Sequence, residues 1–258
     1  MDIVSIGSLI FGFGVLVVAF ILEEGVVSKL VSPTSAMIIF GGTFAVLGVS
    51  FPAKRLVKMP TLLKIAFTTH KEDRNAILVY FEELAVLVRK DGLLSLEQKI
   101  STGENLDPFL ITGLQMVIDG TDLDNMKHTL ETKISNMEER HSKGISIFEA
   151  AGGYAPTMGV VGTVLGLINV LADLGNTEAL GGKVATAFIA TLYGIASANI
   201  LWLPIATKLK ELDADETVTK YMMLDGIIML QNGSNPILIR EHLEGYLENE
   251  KEKAQRGE

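Results

Sequence analysis

The residues of this chain that could do chemistry lie in an apolar segment rich in glycine and alanine, residues 150–167. The segment holds Pro156 and the hydroxyls of Thr157 and Thr163, none of which plain packing requires. Inside a helix a proline has no N–H to donate, so the carbonyl four residues earlier loses its partner. In a membrane such groups are tolerated where neighbours, hydroxyls or water satisfy them again. The segment therefore raises two possibilities, a helix that only packs in the membrane and a helix that lines a hydrated path.

Small residues recur along two apolar segments at the spacing of one helix face. The first face holds Gly152, Pro156, Gly159, Thr163 and Gly166, with Gly162 and Gly166 as a GxxxG pair, and the second holds Ala187, Thr191, Gly194 and Ala198. Faces of this kind let two helix backbones approach closely. Tight packing and a threonine-lined path both stay open as interpretations, and packing alone leaves Pro156 unexplained.

Other kinds of chemistry find little support. The histidines, at positions 70, 128, 141 and 242, do not pair at metal-ligand spacing, and no cysteine is present to supply a thiolate. Gly181-Gly182-Lys183 is followed by Val184, where a phosphate-binding P-loop requires serine or threonine. We therefore predict a protein that is not an enzyme, with no catalytic residue, metal site or cofactor. The net charge of −9 argues against nucleic acid as a partner.

The elements that must position these residues are four apolar segments: 3–22, 36–51, 145–172 and 184–206. Each approaches the roughly 20 residues that cross a hydrocarbon core about 30 Å thick. Because lipid cannot satisfy an open backbone, all four should be helices. The predicted fold class is all-α, a polytopic membrane protein with four transmembrane helices and a cytoplasmic helical domain. A large soluble protein with four buried helices is the competing interpretation.

Basic residues near the ends of the spans predict the orientation. Lys54, Arg55 and Lys58 follow the second span, and Lys208 and Lys210 follow the fourth, whereas the connections 23–32 and 173–183 are acidic or neutral. By the positive-inside rule, both termini should be cytoplasmic. The predicted parts are the first two spans in residues 1–51, a cytoplasmic helical domain in 52–144, the last two spans in 145–207, and cytoplasmic C-terminal helices and tail in 208–258.

The cytoplasmic segments have the pattern of amphipathic helices. One apolar stripe contains Phe81 and Leu84, and Asp91-Gly92 should end its helix. Ser95 and Gln98 have the spacing of a capping box. Thr121 is the predicted cap of the helix that leads toward the third span.

The spans carry no ionisable residue at their centres, and Glu149 lies only near the cytoplasmic edge of the third. A protein that carries ions normally keeps a carboxylate or histidine at depth. If this chain handles ions, the titrating group must come from another chain.

Four stretches of the sequence resemble the MotA family of flagellar motor stator proteins: AGGYAPTMGVVGT at 151–163, ATLYG at 190–194, LPIA at 203–206 and RKDGLLSLE at 89–97. The topology is similar along nearly the full length. The resemblance implies an ion-conducting stator subunit of the bacterial inner membrane that couples ion flow to flagellar rotation. It also implies a homo-oligomer, a pentamer, around a dimer of a MotB-type partner that carries the ion-binding aspartate. Such a ring turns the rotor protein FliG.

Roles for residues of the spans follow from the resemblance. Pro156 and Pro204 match the two prolines that the family links to its ion-driven conformational change, and Thr163 and Thr191 match positions that line the ion path. Purely structural explanations stay open, because Pro204 could mark the end of the membrane core and Thr191 could only pack.

Outside the spans, Arg89 and Glu97 match the charged pair that meets the rotor, with Lys90 beside them. As a structural explanation, Glu97 would stabilise a helix N-terminus by about 0.3–1 kcal/mol. Arg89 could simply be solvated.

The resemblance bears on the ion as well. Sodium-driven relatives have threonine at the positions of both Thr163 and Thr191, whereas some proton-driven relatives have alanine at the first. Proton-type chains nevertheless also resemble the AGGYAPTMG stretch. The transported ion that we favour is H⁺, with Na⁺ as the alternative.

Three other functions compete with this one. An ExbB- or TolQ-like energy-transducing subunit is the nearest, although those proteins have three spans. A passive membrane scaffold would carry no ion current with its partner. A transporter would take up substrate alone, and it lacks the charged residue at depth that it would need.

Overall fold

The computed structural model describes residues 2–68, 73–102, 106–172, 174–175 and 177–256. Within these ranges the regular secondary structure is helical, and four helical segments are long and apolar enough to cross a membrane: Ile3–Leu22, Val27–Ser50, Leu123–Leu171 and Leu180–Gln231. The all-α fold class and the four spans predicted from the sequence are confirmed. His70 and Asp173 lie outside the described residues.

The helices follow one another as α1 (Ile3–Leu22), α2 (Pro33–Ala36), α3 (Gly42–Ser50), α4 (Ala53–Leu56), α5 (Met59–Ala66), α6 (Arg74–Asp91), α7 (Ser95–Thr102), α8 (Pro108–Ile118), α9 (Leu123–Leu171), α10 (Thr177–Ala196), α11 (Leu203–Gln231) and α12 (Pro236–Arg256). A 3₁₀ turn at Val27–Leu30 precedes α2. Two π-helical turns, Met37–Gly41 and Ser197–Trp202, interrupt the second and fourth spans. With 49 residues, α9 is about 73 Å long.

The chain forms two compact units. We call Met1–Thr69 with His141–Leu212 the membrane unit, and His70–Arg140 with Asp213–Glu258 the helical unit. The membrane unit includes α5, where Met59 is buried. The unit boundary therefore falls after the first two short helices that follow the second span.

The core of the membrane unit is built from small and aromatic side chains. Ala151 and Ala155 of α9 are fully buried, as is Phe148 one turn earlier. The ring of Trp202 lies edge-on to that of Phe44, with centroids 6.0 Å apart. Alanines on α9 therefore allow close helix contact, while the aromatic rings fill the space beside them.

The helical unit has a separate apolar core, to which α6, α7, α8, α9, α11 and α12 contribute. Phe81 and Leu84 are fully buried in it, as the sequence stripe predicts. A buried arginine, Arg74, donates from Nε to the hydroxyl of Thr219 at 3.1 Å and from Nη2 to the carbonyl of Asp215 at 3.0 Å. These hydrogen bonds offset the cost of burying a cation.

Candidate functional site

The two small-residue faces lie against each other in the membrane unit, α9 against α10. A Cβ atom on Gly159 would lie 3.1 Å from the Cα of Thr191, and one on Gly194 would lie 2.5 Å from the carbonyl oxygen of Ala155. The other members of the faces are also closely packed: Gly162 against Ala190, Gly166 against Ala187, Gly152 against Leu203, and Ala198, which is buried. The helix backbones touch here because glycine leaves them room.

Thr163 and Thr191 meet within this contact, and their hydroxyls are hydrogen-bonded to each other. The Thr163 hydroxyl also lies 3.1 Å from the carbonyl oxygen of Gly159 and 3.0 Å from that of Ala187. The Thr191 hydroxyl lies 3.4 Å from the same Gly159 oxygen. The two hydroxyls supply only two protons for these contacts, so lone pairs on the threonine oxygens stay open to water or a cation. The two carbonyls lie inside helices, where they also accept from backbone N–H groups. We call these four groups the oxygen cluster.

Pro156 lies within α9, one turn before Gly159. It is half-buried, and its missing N–H deprives the carbonyl of Gly152 of its usual helical partner. The position provides a soft point in a helix that is otherwise continuous.

Pro204 lies in the first turn of α11, directly after the π-helical turn Ser197–Trp202. At this junction the N–H of Leu203 donates to the carbonyl of Ala198, five residues earlier. π-Helical turns insert one extra residue and are frequent at functional sites. This turn was not predicted from the sequence. Two polar residues ahead of the proline, Ser197 and Asn199, could have indicated an irregular turn in this span. Their side chains donate to the carbonyls of Gly194 and Ile195.

Ion pairs at the membrane unit were also missed. Lys210 of α11 pairs with Glu149 of α9. Lys208 donates to Asp2 at 3.0 Å, and Asp2 also accepts from the hydroxyl of Ser5 at 2.6 Å. The hydrogen bonds from Ser5 and Lys208 hold the pKa of Asp2 well below its usual value. These pairs join α1, α9 and α11 at the same end of the spans.

Arg89, Lys90 and Glu97 lie in the helical unit, on both sides of the turn between α6 and α7. Gly92 forms this turn with a φ of +81°, which other residues rarely adopt. All three charged side chains are exposed, and none forms an ion pair with another residue of the described ranges. The turn therefore presents them to solvent or to a partner. They lie in a different unit from the oxygen cluster.

Comparison with known proteins decides the family. Residues 101–222 match the MotA/TolQ/ExbB proton channel family. The chain is 37% identical over 248 residues to Motility protein A of Bacillus subtilis (strain 168), which covers 96% of this chain and 91% of that protein. The chain belongs to this family.

Other members of the MotA/TolQ/ExbB family match just as fully. Chemotaxis protein PomA of Vibrio alginolyticus is 32% identical over 247 residues, 96% of each chain. The structure of the flagellar MotAB stator complex from Bacillus subtilis contains a chain that matches with a TM-score of 0.89 at 36% identity, over 98% of both chains. A chain of C. jejuni MotAB also gives a TM-score of 0.89, at 27% identity over 95% of this chain and 96% of that one. The chain is a multi-pass membrane protein and an ion-channel subunit of a flagellar stator.

Proposed function

We propose that five copies of the chain form a ring in the bacterial inner membrane around a dimer of a MotB-type partner, and that proton flow through this assembly turns the rotor protein FliG. The observation that carries the proposal is the oxygen cluster, which lies at a backbone contact where only small residues fit. The similar stator complexes are of the MotAB kind, which supports a MotB-type partner.

The partner must supply the acid. The sequence has no Asp, Glu, His, Lys or Arg between positions 150 and 171 or between 184 and 206. A proton carrier needs a titratable group at depth, and in this assembly that group is the partner's carboxylate. Val160, Val164 and Ile168 recur along α9 and are more than half exposed, so they offer an apolar face to a neighbouring helix.

In this assembly the oxygen cluster is the part of the ring that exchanges water and protons with the partner's carboxylate. Its hydroxyls both donate and accept, so they can hold water in line with an acid that gains and loses a proton. Pro156 precedes Thr163 by about two turns of α9, and Pro204 lies in the first turn of α11, after Thr191. At both prolines the backbone can bend at low cost when the acid changes charge. Both termini are cytoplasmic in this arrangement, in agreement with the basic residues after the second and fourth spans.

Replacing Thr191 by valine should stop swimming while the assembly persists. Valine keeps the shape of threonine but removes one of the two hydroxyls of the cluster. Swimming speed and proton influx should both fall to background, at an unchanged amount of purified complex. The matched control is Thr186→Val, because the Thr186 hydroxyl donates to the carbonyl of Gly182 in its own helix. Normal swimming of the Thr191 variant would remove this residue from the path.

The rotor contact is assigned to the α6–α7 turn. Reversing the charge of Arg89 or Glu97 should abolish torque and leave ion leak intact, because both side chains are exposed and far along the chain from the oxygen cluster. Exposed charges of this kind change the free energy of unfolding by no more than about 0.5 kcal/mol. Swimming and leak would be compared with those of Glu241→Lys, an exposed charge on α12. Loss of the leak as well would contradict a rotor-contact role.

Complementation tests the whole proposal. Cells that lack their own subunit would receive this chain with its MotB-type partner, and swimming speed would be followed against external sodium at fixed pH and then against an uncoupler. We expect the swimming speed to be independent of external sodium and to fall to zero when the uncoupler is added. A swimming speed that rises with external sodium and is unchanged by the uncoupler would show that the transported ion is Na⁺. The absence of any ion current would instead favour a passive scaffold.

A further inference from the structure

A cleft of about 710 Å³ opens on the membrane unit between α1, the end of α5 and the stretch from Asn199 to Glu211. Six polar side chains line the cleft: Ser5, Ser8, Asn199, Thr207, Lys208 and Glu211. Apolar residues of α1 and α11, such as Leu9 and Leu203, form the rest of the lining. The oxygen cluster takes no part in it, so the cleft needs its own explanation.

The polarity of the cleft changes along its length. At one end Lys208 pairs with Asp2, the residue that caps α1. At the other end Gly12 approaches Ile200 so closely that a Cβ on the glycine would lie 3.2 Å from Ile200 Cγ2. From Ile200 to Lys208 a helix rises about 12 Å. The cleft is therefore charged at the end of the spans and uncharged toward their middle, where Asn199 is the polar side chain beside Ile200. A phospholipid has the same order of charge from headgroup to acyl chain.

The charges at the mouth select among headgroups. Lys208 and Asp2 neutralise each other, and one further carboxylate, Glu211, lies one turn along α11. Glu211 is exposed and has no ion-pair partner elsewhere in the described ranges. A lysine ammonium has three N–H donors, of which Asp2 takes one, so Lys208 can still bind a phosphate oxygen. The mouth thus complements a phosphate together with a cation that can hydrogen-bond.

Two hydroxyls in the cleft, one next to Lys208 and one on α1, fit the next part of such a lipid. The hydroxyls of Ser8 and Thr207 make no hydrogen bond with the described parts of the chain. Both side chains are exposed, so these hydroxyls are free to donate to a bound molecule. Ester carbonyls, which lie just below the phosphate of a phospholipid, would accept from both.

We propose that this cleft binds one phospholipid with a primary ammonium headgroup, phosphatidylethanolamine. Its ammonium group pairs with Glu211, its phosphate accepts from Lys208, and its ester carbonyls accept from Ser8 and Thr207. One acyl chain follows Leu9 toward the contact of Gly12 with Ile200. A purely anionic headgroup would face Glu211 with a like charge, and a quaternary ammonium has no N–H to donate. The site goes beyond the proposed function, since it does not depend on which ion flows.

Native mass spectrometry of the purified complex of this chain with its MotB-type partner tests the site. The complex would be offered equal amounts of phosphatidylethanolamine, phosphatidylglycerol and phosphatidylcholine with identical acyl chains. We expect phosphatidylethanolamine to be retained, up to one per copy of the chain. Glu211→Gln should lower its preference over phosphatidylglycerol by about tenfold, as loss of one charge-assisted hydrogen bond predicts. Glu241→Gln, an exposed acid outside the cleft, should leave the preference unchanged.

A second test uses a variant with a bulky side chain that fills the cleft. Ser8→Phe should abolish retention, whereas Ile10→Phe should not, because Ile10 is 65% exposed on α1 and does not line the cleft. Equal retention of the three lipids, an unchanged preference in Glu211→Gln, or no retained lipid because a neighbouring copy fills the cleft would each overturn the proposal. Swimming and ion current do not enter this readout, so failure here is distinct from failure of the proposed function.

Discussion

Replacing Gly194 by valine should prevent assembly of a working stator, the largest structural effect that we expect from one substitution. A Cβ atom at this position would lie 2.5 Å from the carbonyl oxygen of Ala155 and 3.2 Å from its carbonyl carbon. The obstacle is backbone, which cannot rotate aside, so α9 and α10 would have to separate. Overpacking of this kind costs about 1–3 kcal/mol, and separation would also pull Thr163 away from Thr191.

The melting temperature of the purified complex and its amount in the membrane would measure this effect. Gly194→Ala should give a smaller loss in the same direction. Gly7→Val on α1 is the matched control, because nothing lies within 4 Å of a Cβ at Gly7. Wild-type melting and swimming of Gly194→Val would show that the two helices are not held at this contact.

Replacing Pro156 by alanine should have the opposite combination of effects, a complex at least as stable as the wild type that does not swim. Alanine restores the N–H that can bond the carbonyl of Gly152, and a proline inside a helix costs about 3 kcal/mol. The same change removes the soft point of α9 beside the oxygen cluster. Rotation that depends on bending at this position should therefore stop.

Swimming speed, ion influx and melting temperature would be measured together on Pro156→Ala. Pro108→Ala is the matched control, because Pro108 begins α8, where the missing N–H has no helical partner to lose. Wild-type speed with the alanine would contradict a role for this proline in coupling. Loss of the assembled complex would mean that it is needed for folding instead.

Much of the fold follows from patterns that act over short distances. The spans are evident because length and apolarity alone decide whether a helix crosses a membrane. The threonine and glycine faces are evident because helical periodicity places residues three or four apart on one side. The sequence thus brings Thr163 and Thr191 onto facing helices, although it says nothing about the carbonyls that complete the oxygen cluster.

Two predicted helix caps were wrong, although they depend only on neighbouring residues. The N-terminus of α9 is capped by Asp122, which accepts from the N–H of Asn125, and not by Thr121 as predicted. The reason is that Thr121 still belongs to the turn that ends α8, where its N–H donates to the carbonyl of Met116. Likewise, the Ser95 hydroxyl donates to the carbonyl of Gly92 instead of completing a capping box.

The π-helical turn before Pro204 and the cleft beside it were not predicted either. A π turn shifts the helical register by one residue, and nothing in the local spacing of small residues announces that shift. The cleft needs α1 and α11 side by side, and residues 12 and 200 are far apart in sequence. Only the three-dimensional structure of the membrane unit shows which polar side chains line the same cleft.

The oxygen cluster has a consequence for acidity. Hydroxyls and carbonyls keep the same protonation state throughout the pH range in which bacteria grow, so the charge of the oxygen cluster does not change with pH. In the proposed assembly, the acid or alkaline limit of ion flow then follows the pKa of the carboxylate that the other polypeptide contributes. One ring sequence combined with two different partners would give motors that stall at different external pH, with no change in the chain described above.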